Sequence, residues 1–211
     1  MKPRAVIFDL GGVIFDSPLE LIRDYERRAG LPEHLIARIA GNYSGEDGLW
    51  HRLERGEVPL SEFCARFDAD ARSLGENLSS VEMMREMSDR AQIRPGMLAA
   101  IRKIREAGFQ VAALTNNWVT DPEYDVRLEP LRAEFHVFVE SCKVKMRKPD
   151  LRIYDLVCEK LGISPNEAVF LDDMGPNLRA GRSLGMMTIK VTEPGPALEE
   201  LGRLVGLSLA S

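Results

Sequence analysis

Five short apolar runs, separated by helical patterns, constrain this chain more than anything else in it. They are Ala5-Val6-Ile7-Phe8, Val111-Ala112-Ala113-Leu114, Val137-Phe138-Val139, Ala168-Val169-Phe170-Leu171 and Thr188-Ile189-Lys190-Val191. Continuous apolar runs of this length read as strands buried on both sides, the form parallel strands take when helices cover both faces of a sheet. The helices lie between them. Met97, Leu98, Ile101 and Ile104 share a face ended by Gly108, and Ile153, Leu156, Val157 and Leu161 share one ended by Gly162. A shorter helix over 177–184 precedes Gly185, and a terminal helix follows Pro194-Gly195-Pro196. The alternation predicts an α/β fold built on a parallel sheet.

Residues 17–92 interrupt the alternation. They hold no strand pattern, only short amphipathic helices punctuated by glycine and proline. Leu19, Ile22 and Tyr25 mark the first, ending near Gly30. Leu35, Ile36 and Ile39 mark the second, entered through Pro32 and closed by Gly41. Leu49, Trp50 and Leu53 stop at Gly56. Phe63, Phe67 and Leu74 follow Ser61 as a cap and end at Gly75, and Met83, Met84 and Met87 form the last stripe. Short helices need a buried face to exist, so these stripes read as the core of a small helical domain at the sheet edge. The predicted division is a core of residues 1–16 and 93–211 with a helical cap of residues 17–92.

Composition removes several function classes. A net charge of −5 provides no basic field for nucleic acid or an anionic membrane. Three dispersed cysteines, Cys64, Cys142 and Cys158, suggest neither a disulfide framework nor a zinc site. His34, His51 and His136 do not cluster. With no leader pattern or membrane-length apolar run, the expectation is a cytoplasmic protein. The basic run Lys143-Val144-Lys145-Met146-Arg147-Lys148 lacks interleaved aromatics; it reads as a local positive field at an anion site or as a solvated loop.

Chemistry-bearing residues close the strands or open the helices. Asp9 follows the first run, Thr115-Asn116-Asn117 the second, Asp172-Asp173 the fourth, and Lys148 precedes a helix. Singly, each could be an ordinary turn or cap. Together they fall where ligands bind in an open parallel sheet, beyond the carboxyl ends of the strands. A carboxylate such as Asp9 can attack phosphorus, dividing a difficult displacement into two steps. Anion attacking anion needs neutralisation, which Lys148 and a Mg²⁺ ion on Asp9 and Asp173 would provide. Thr115 and the backbone amides after it would donate to a phosphoryl oxygen.

These motifs resemble the haloacid dehalogenase-like (HAD) superfamily, in the subfamily with a helical cap after the first strand. The stretches Leu114-Thr115-Asn116-Asn117-Trp118, Val139-Glu140-Ser141-Cys142, Arg147-Lys148-Pro149, Val169-Phe170-Leu171-Asp172-Asp173-Met174-Gly175-Pro176-Asn177 and Gly185-Met186-Met187-Thr188-Ile189 resemble the branch containing the N-terminal phosphatase domain of soluble epoxide hydrolases. The resemblance implies a Rossmann-like core and a Mg²⁺-dependent phosphatase of a small phosphorylated metabolite. Asp9 would be the nucleophile, and Asp9, Asp173 and the Gly11 backbone carbonyl would hold the metal. Thr115 and Asn116 would bind the phosphoryl group, with Asn117 also on the substrate side, and Lys148 would balance charge. Asp172 and Asn177 would support that set. Trp118 is open between substrate contact and packing under the cap. Gly11 departs from the pattern, since phosphatases of this kind usually carry at this position an aspartate that protonates the leaving group. The alternatives are a phosphate- or partner-binding module impaired in turnover, and a haloacid dehalogenase using the same Asp9.

Overall fold

The computed structural model describes residues 2–42, 48–119 and 122–209. Its centre is a five-stranded parallel sheet of β1 (Ala5–Phe8), β2 (Gln110–Thr115), β3 (Val137–Glu140), β4 (Ala168–Asp172) and β5 (Met187–Lys190), ordered β3-β2-β1-β4-β5. The chain winds outward from β1 through β2 and β3, then returns to β1's other side for β4 and β5. That reversal opens a crevice at the carboxyl end of β1.

Side chains alternate between two cores, as a strand period of two requires. Val6, Phe8, Val111, Ala113, Val169 and Leu171 face one way, onto helices α6 (Pro95–Glu106) and α11 (Pro194–Val205). Ala5, Ile7, Ala112, Leu114, Ala168 and Phe170 face the other, onto α9 (Leu151–Leu161) and α10 (Gly175–Ser183). Burial on both faces explains why β1, β2 and β4 read as unbroken apolar runs, while the edge strands β3 and β5 are only partly buried.

Between β1 and α6 the chain forms α1 (Pro18–Arg28), α2 (Leu35–Asn42), α3 (Leu49–Glu54), α4 (Leu60–Ser73) and α5 (Ser80–Arg90) around a core of their own. Phe63 and Phe67 stack at 5.1 Å, and Trp50 meets Phe63 edge-on at 5.2 Å. The buried Glu26 carboxylate accepts from the backbone amides of His34 (3.0 Å) and Ile36 (2.8 Å), satisfying donors at the start of α2. The chain leaves and re-enters the sheet layer through a narrow stem. Phe15 pairs antiparallel with Ile93, and Arg94 N donates to Ile14 O at 2.8 Å.

Several sequence expectations shift here. Leu19 and Leu74, assigned to apolar stripes, are exposed at helix ends. Helix α4 is capped at Pro59, so Ser61 lies inside it. Helices α7 (Pro122–Arg132) and α8 (Ser141–Val144) have no counterpart in the periodicity reading. Among the described residues, no helix is long and apolar enough to cross a membrane.

Candidate active site

The sheet register delivers the first acids. Phe8 lies opposite Leu171, so the next residue on each strand, Asp9 and Asp172, come out side by side at the crevice. Asp9 N is held by Leu171 O at 2.9 Å. Asp173 follows, and the three carboxylates each offer an oxygen within 4.8 Å of the others. Such a hard-oxygen set suits a small divalent cation.

Hydrogen bonding separates the three. Asp172 is fully buried and saturated. Its Oδ1 accepts from Met174 N (2.7 Å) and Asn177 Nδ2 (3.1 Å), and its Oδ2 from Lys148 Nζ (2.7 Å) and Asn177 Nδ2 (3.1 Å). Asp9 uses Oδ1 alone, for Leu10 N at 2.7 Å and Lys148 Nζ at 2.9 Å. Among the described residues, its Oδ2 has no hydrogen bond. Asp173 is half-buried, and no hydrogen bond from another residue engages its carboxylate. Asp9 Oδ2 and Asp173 are therefore the oxygens left to act.

Charge is unbalanced, with three acids around one ammonium. Burial drives the Asp9 carboxyl up, to about 8; Lys148 pulls it down, and Asp172 and Asp173 push it up further. Asp173 is raised mainly by burial and then by Asp172. Burial alone would lower the Lys148 ammonium, but Asp9 and Asp172 outweigh it and hold the group above its ordinary value.

Glycine is indispensable at position 12. Its φ is +73°, and an added Cβ would lie 2.4 Å from Asp173 Oδ2. Arg94, returning through the stem, donates to Gly12 O at 2.8 Å. Gly11 is different, because its φ of −66° suits any residue. Space is what it lacks: a Cβ there would stand 2.9 Å from Pro18 Cγ and 3.2 Å from Cδ. The first residue of α1 fills the place where an acid would project.

The second motif divides its labour. Thr115 is buried at the end of β2, and its hydroxyl makes only a long 3.5 Å contact to Asn116 O. The Asn116 amide grips the Lys148 backbone, donating to its carbonyl at 3.0 Å and accepting from its N–H at 2.8 Å. The Asn117 amide, expected on the substrate side, donates to Glu140 Oε1 at 2.9 Å and accepts from Cys142 Sγ at 3.2 Å. Trp118 packs into the α1–α5 core and meets Trp50 edge-on at 6.5 Å.

The basic run divides: Lys143 and Lys145 are exposed but paired, Arg147 is half-buried, and Lys148 is buried. Lys143 pairs with Glu140, Lys145 donates to Gly56 O, Arg147 pairs with Glu54, and Lys148 is buried between Asp9 and Asp172. His136 Nδ1 accepts from Val111 N at 3.0 Å, a structural contact. Sequence reasoning passed over Glu54 and Pro18, whose importance arises only where α1 and α3 meet the sheet's edge.

The model of haloacid dehalogenase-like hydrolases matches residues 3–185. The chain belongs to that family. It is 37% identical over 210 residues to acyl-CoA dehydrogenase family member 10 of Mus musculus, covering 98% of this chain and 19% of that protein. It is 35% identical over 222 residues to bifunctional epoxide hydrolase 2 of Sus scrofa, covering 99% of this chain and 40% of the other. The chain thus spans well under half of these HAD relatives. Proteins named as phosphatases follow at 25–29% identity. Among solved structures, a HAD family enzyme of Bacteroides thetaiotaomicron, crystallised with magnesium and inorganic phosphate, matches with a TM-score of 0.65 at 22% identity. The match covers 90% of this chain and 96% of that one, and it establishes the shared fold.

Proposed function

We propose that this chain is a Mg²⁺-dependent phosphatase of small phosphorylated metabolites, acting through an aspartyl phosphate on Asp9. The observation that carries the reading is the free Oδ2 of Asp9, beside Asp173, with Lys148 and Asp172 anchored next to it. Asp9, Asp173 and the Gly11 carbonyl would hold Mg²⁺, which would neutralise phosphoryl charge. The donor set fits: hard oxygens, two carboxyls raised by crowding, and a glycine that leaves room for Asp173.

Asp9 Oδ2 attacks phosphorus, and the bond from phosphorus to the leaving oxygen breaks. Lys148 favours the ionised form of Asp9 and aims it, while Asp172, itself held by Asn177, keeps Lys148 in place. Thr115 Oγ1 and the amides after it receive the phosphoryl oxygens. Asn116 contributes by fixing Lys148, and Asn117 by tying its loop to Glu140 and Cys142. Water then cleaves the acyl phosphate, releasing inorganic phosphate and restoring Asp9. With Pro18 against Gly11, no side chain at position 11 protonates the departing group, so leaving groups that depart as weak bases are favoured: acyl phosphates and sugar 1-phosphates. Residues 17–92 serve as the cap over the crevice, with Trp118 as its anchor on the sheet side.

The same contact favours a second reading, a phosphate-binding module with little turnover. One experiment separates the two. Asp9→Asn is expected to abolish Mg²⁺-dependent hydrolysis of acetyl phosphate and to prevent transfer of labelled phosphate to protein. Hydrolysis that persists in the variant overturns the mechanism. Phosphate binding without turnover in the natural protein favours the module.

A further inference from the structure

Helix α3 carries a buried acid with no role in the mechanism. Glu54 is 8% exposed, and its Oε2 accepts from Arg147 Nε at 2.5 Å while Oε1 accepts from Trp50 Nε1 at 3.2 Å. Its backbone carbonyl accepts from Ser141 Oγ at 2.6 Å. Ser141, itself fully buried, also accepts from Asn117 N at 2.9 Å and lies 3.1 Å from Asn117 O. One turn on, Lys145 Nζ donates to Gly56 O at 2.8 Å. Gly56 approaches so closely that an added Cβ would stand 2.8 Å from Cys142 O.

These contacts converge on one segment. Residues 141–148 run from the end of β3 to Lys148; Glu54 at the end of α3 touches them at Ser141 and Arg147, and Gly56 just after the helix touches them at Cys142 and Lys145. Arg147 is the covalent neighbour of Lys148, and Ser141 grips the loop that carries Thr115 and Asn116. Cations at the end of α3 also suit the partial negative charge of its carbonyls. A surface ion pair would contribute little. Here the side chains are 11% and 19% exposed, so losing one partner strands a charge.

We propose that Glu54 is a positioning residue for the Asp9–Lys148 site, acting through Arg147 and Ser141 and latching α3 to the sheet's carboxyl edge. The kinetic arm of this proposal rests on the function proposed above, and its spectroscopic arm does not. Trp50 and Trp118 are the chain's only tryptophans, and they meet across the seam that Glu54 closes. Two indoles that close couple electronically, so the exciton couplet of their strong far-ultraviolet band in the circular dichroism of the unmodified chain reads the latch without any substrate.

In Glu54→Gln the coupled tryptophan signal is expected to collapse. The kcat for acetyl phosphate should fall about tenfold to a hundredfold, the loss expected of small misplacement, with KM changed less. Mg²⁺ affinity, set by Asp9 and Asp173, should stay within about twofold of the natural protein. Glu54→Asp, keeping the charge, should recover part of both signals. An intact tryptophan signal with unchanged kcat in folded Glu54→Gln overturns the proposal. Hydrogen exchange on the natural protein tests it should the variants fail to fold. The amides of 141–147 and α3 should open together, and 141–147 remaining protected while α3 exchanges freely overturns the latch. Absence of turnover in the natural protein defeats only the proposed function, because the tryptophan and exchange results stand without it.

Discussion

Replacing Lys148 with methionine removes the buried ammonium from a cluster of three acids, two of them buried. Lys148 is 1% exposed, with Nζ 2.9 Å from Asp9 Oδ1 and 2.7 Å from Asp172 Oδ2. Breaking a buried pair by deleting one partner costs about 3–5 kcal/mol, because the remaining charge stays desolvated and uncompensated. In a chain of this size about 1 kcal/mol moves Tm by roughly 2–4 °C, so Lys148→Met should melt about 6–20 °C lower at pH 8. The loss should depend on pH with a definite sign. Even beside Lys148, Asp9 has its folded pKa raised from 3.8 to about 8. A carboxyl raised in this way lets the folded state bind more protons than the unfolded one, so stability rises as pH falls through about 8. Without Lys148 the carboxyl rises further, and protonation annuls more of the damage. The gap between variant and natural protein should therefore narrow mainly as pH drops from about 10 to about 8, and level off below that, where both folded states hold the Asp9 proton. Asp172→Asn added to Lys148→Met should restore about 1 kcal/mol or more, since the two sites are coupled. Urea unfolding at a series of pH values, metal-free, measures all three quantities. A loss below about 1 kcal/mol, or one indifferent to pH, would refute the electrostatic argument.

Three further outcomes follow from the same geometry. Mg²⁺ binding must displace the proton that Asp9 holds up to about 8, so its apparent affinity should climb about tenfold per pH unit between 5 and 7; a flat calorimetric titration would contradict this. Gly12→Ala forces a Cβ to 2.4 Å from Asp173 Oδ2 at a φ of +73°, so it should cost about 1–3 kcal/mol and weaken Mg²⁺ binding, and unchanged affinity would mean Asp173 is not a ligand. With no side chain at Gly11, hydrolysis rates should depend steeply on leaving-group pKa across a series of phosphate esters, whereas a shallow slope would point to a proton donor elsewhere.

The centre of the sheet was legible because β1, β2 and β4 are buried on both faces, which leaves unbroken runs such as Ala168–Leu171 without the ambiguity of a half-wet strand. The strand-end acids were legible because the fold places ligands there. Helix α7 was hidden by its composition, with Pro130 inside it and no continuous apolar stripe. The cap of α2 was hidden because its acceptor, Glu26, lies several residues earlier on another helix. Asn116 and Asn117 show the limit inside the site itself. Their residue type announced polar work near phosphate, but partners twenty or more positions away, Lys148 and Glu140, decide which atoms remain to do it. The basic run misled for the same reason, since its acids come from α3 and β3.

The contact between Gly11 and Pro18 constrains the order in which substitutions can accumulate. The backbone at position 11 accepts any residue, but the proline ring is rigid and already occupies the space. An aspartate arriving at position 11 first would meet that ring and strain the start of α1, by about 1–3 kcal/mol for an overpacked site. Pro18→Ala arriving first gives up only a favourable helix-opening residue, a change of about 1 kcal/mol or less. The two positions therefore behave as a ratchet: a path toward an acid-bearing site passes through 18 before 11, and the proline, once in place, bars the direct way back.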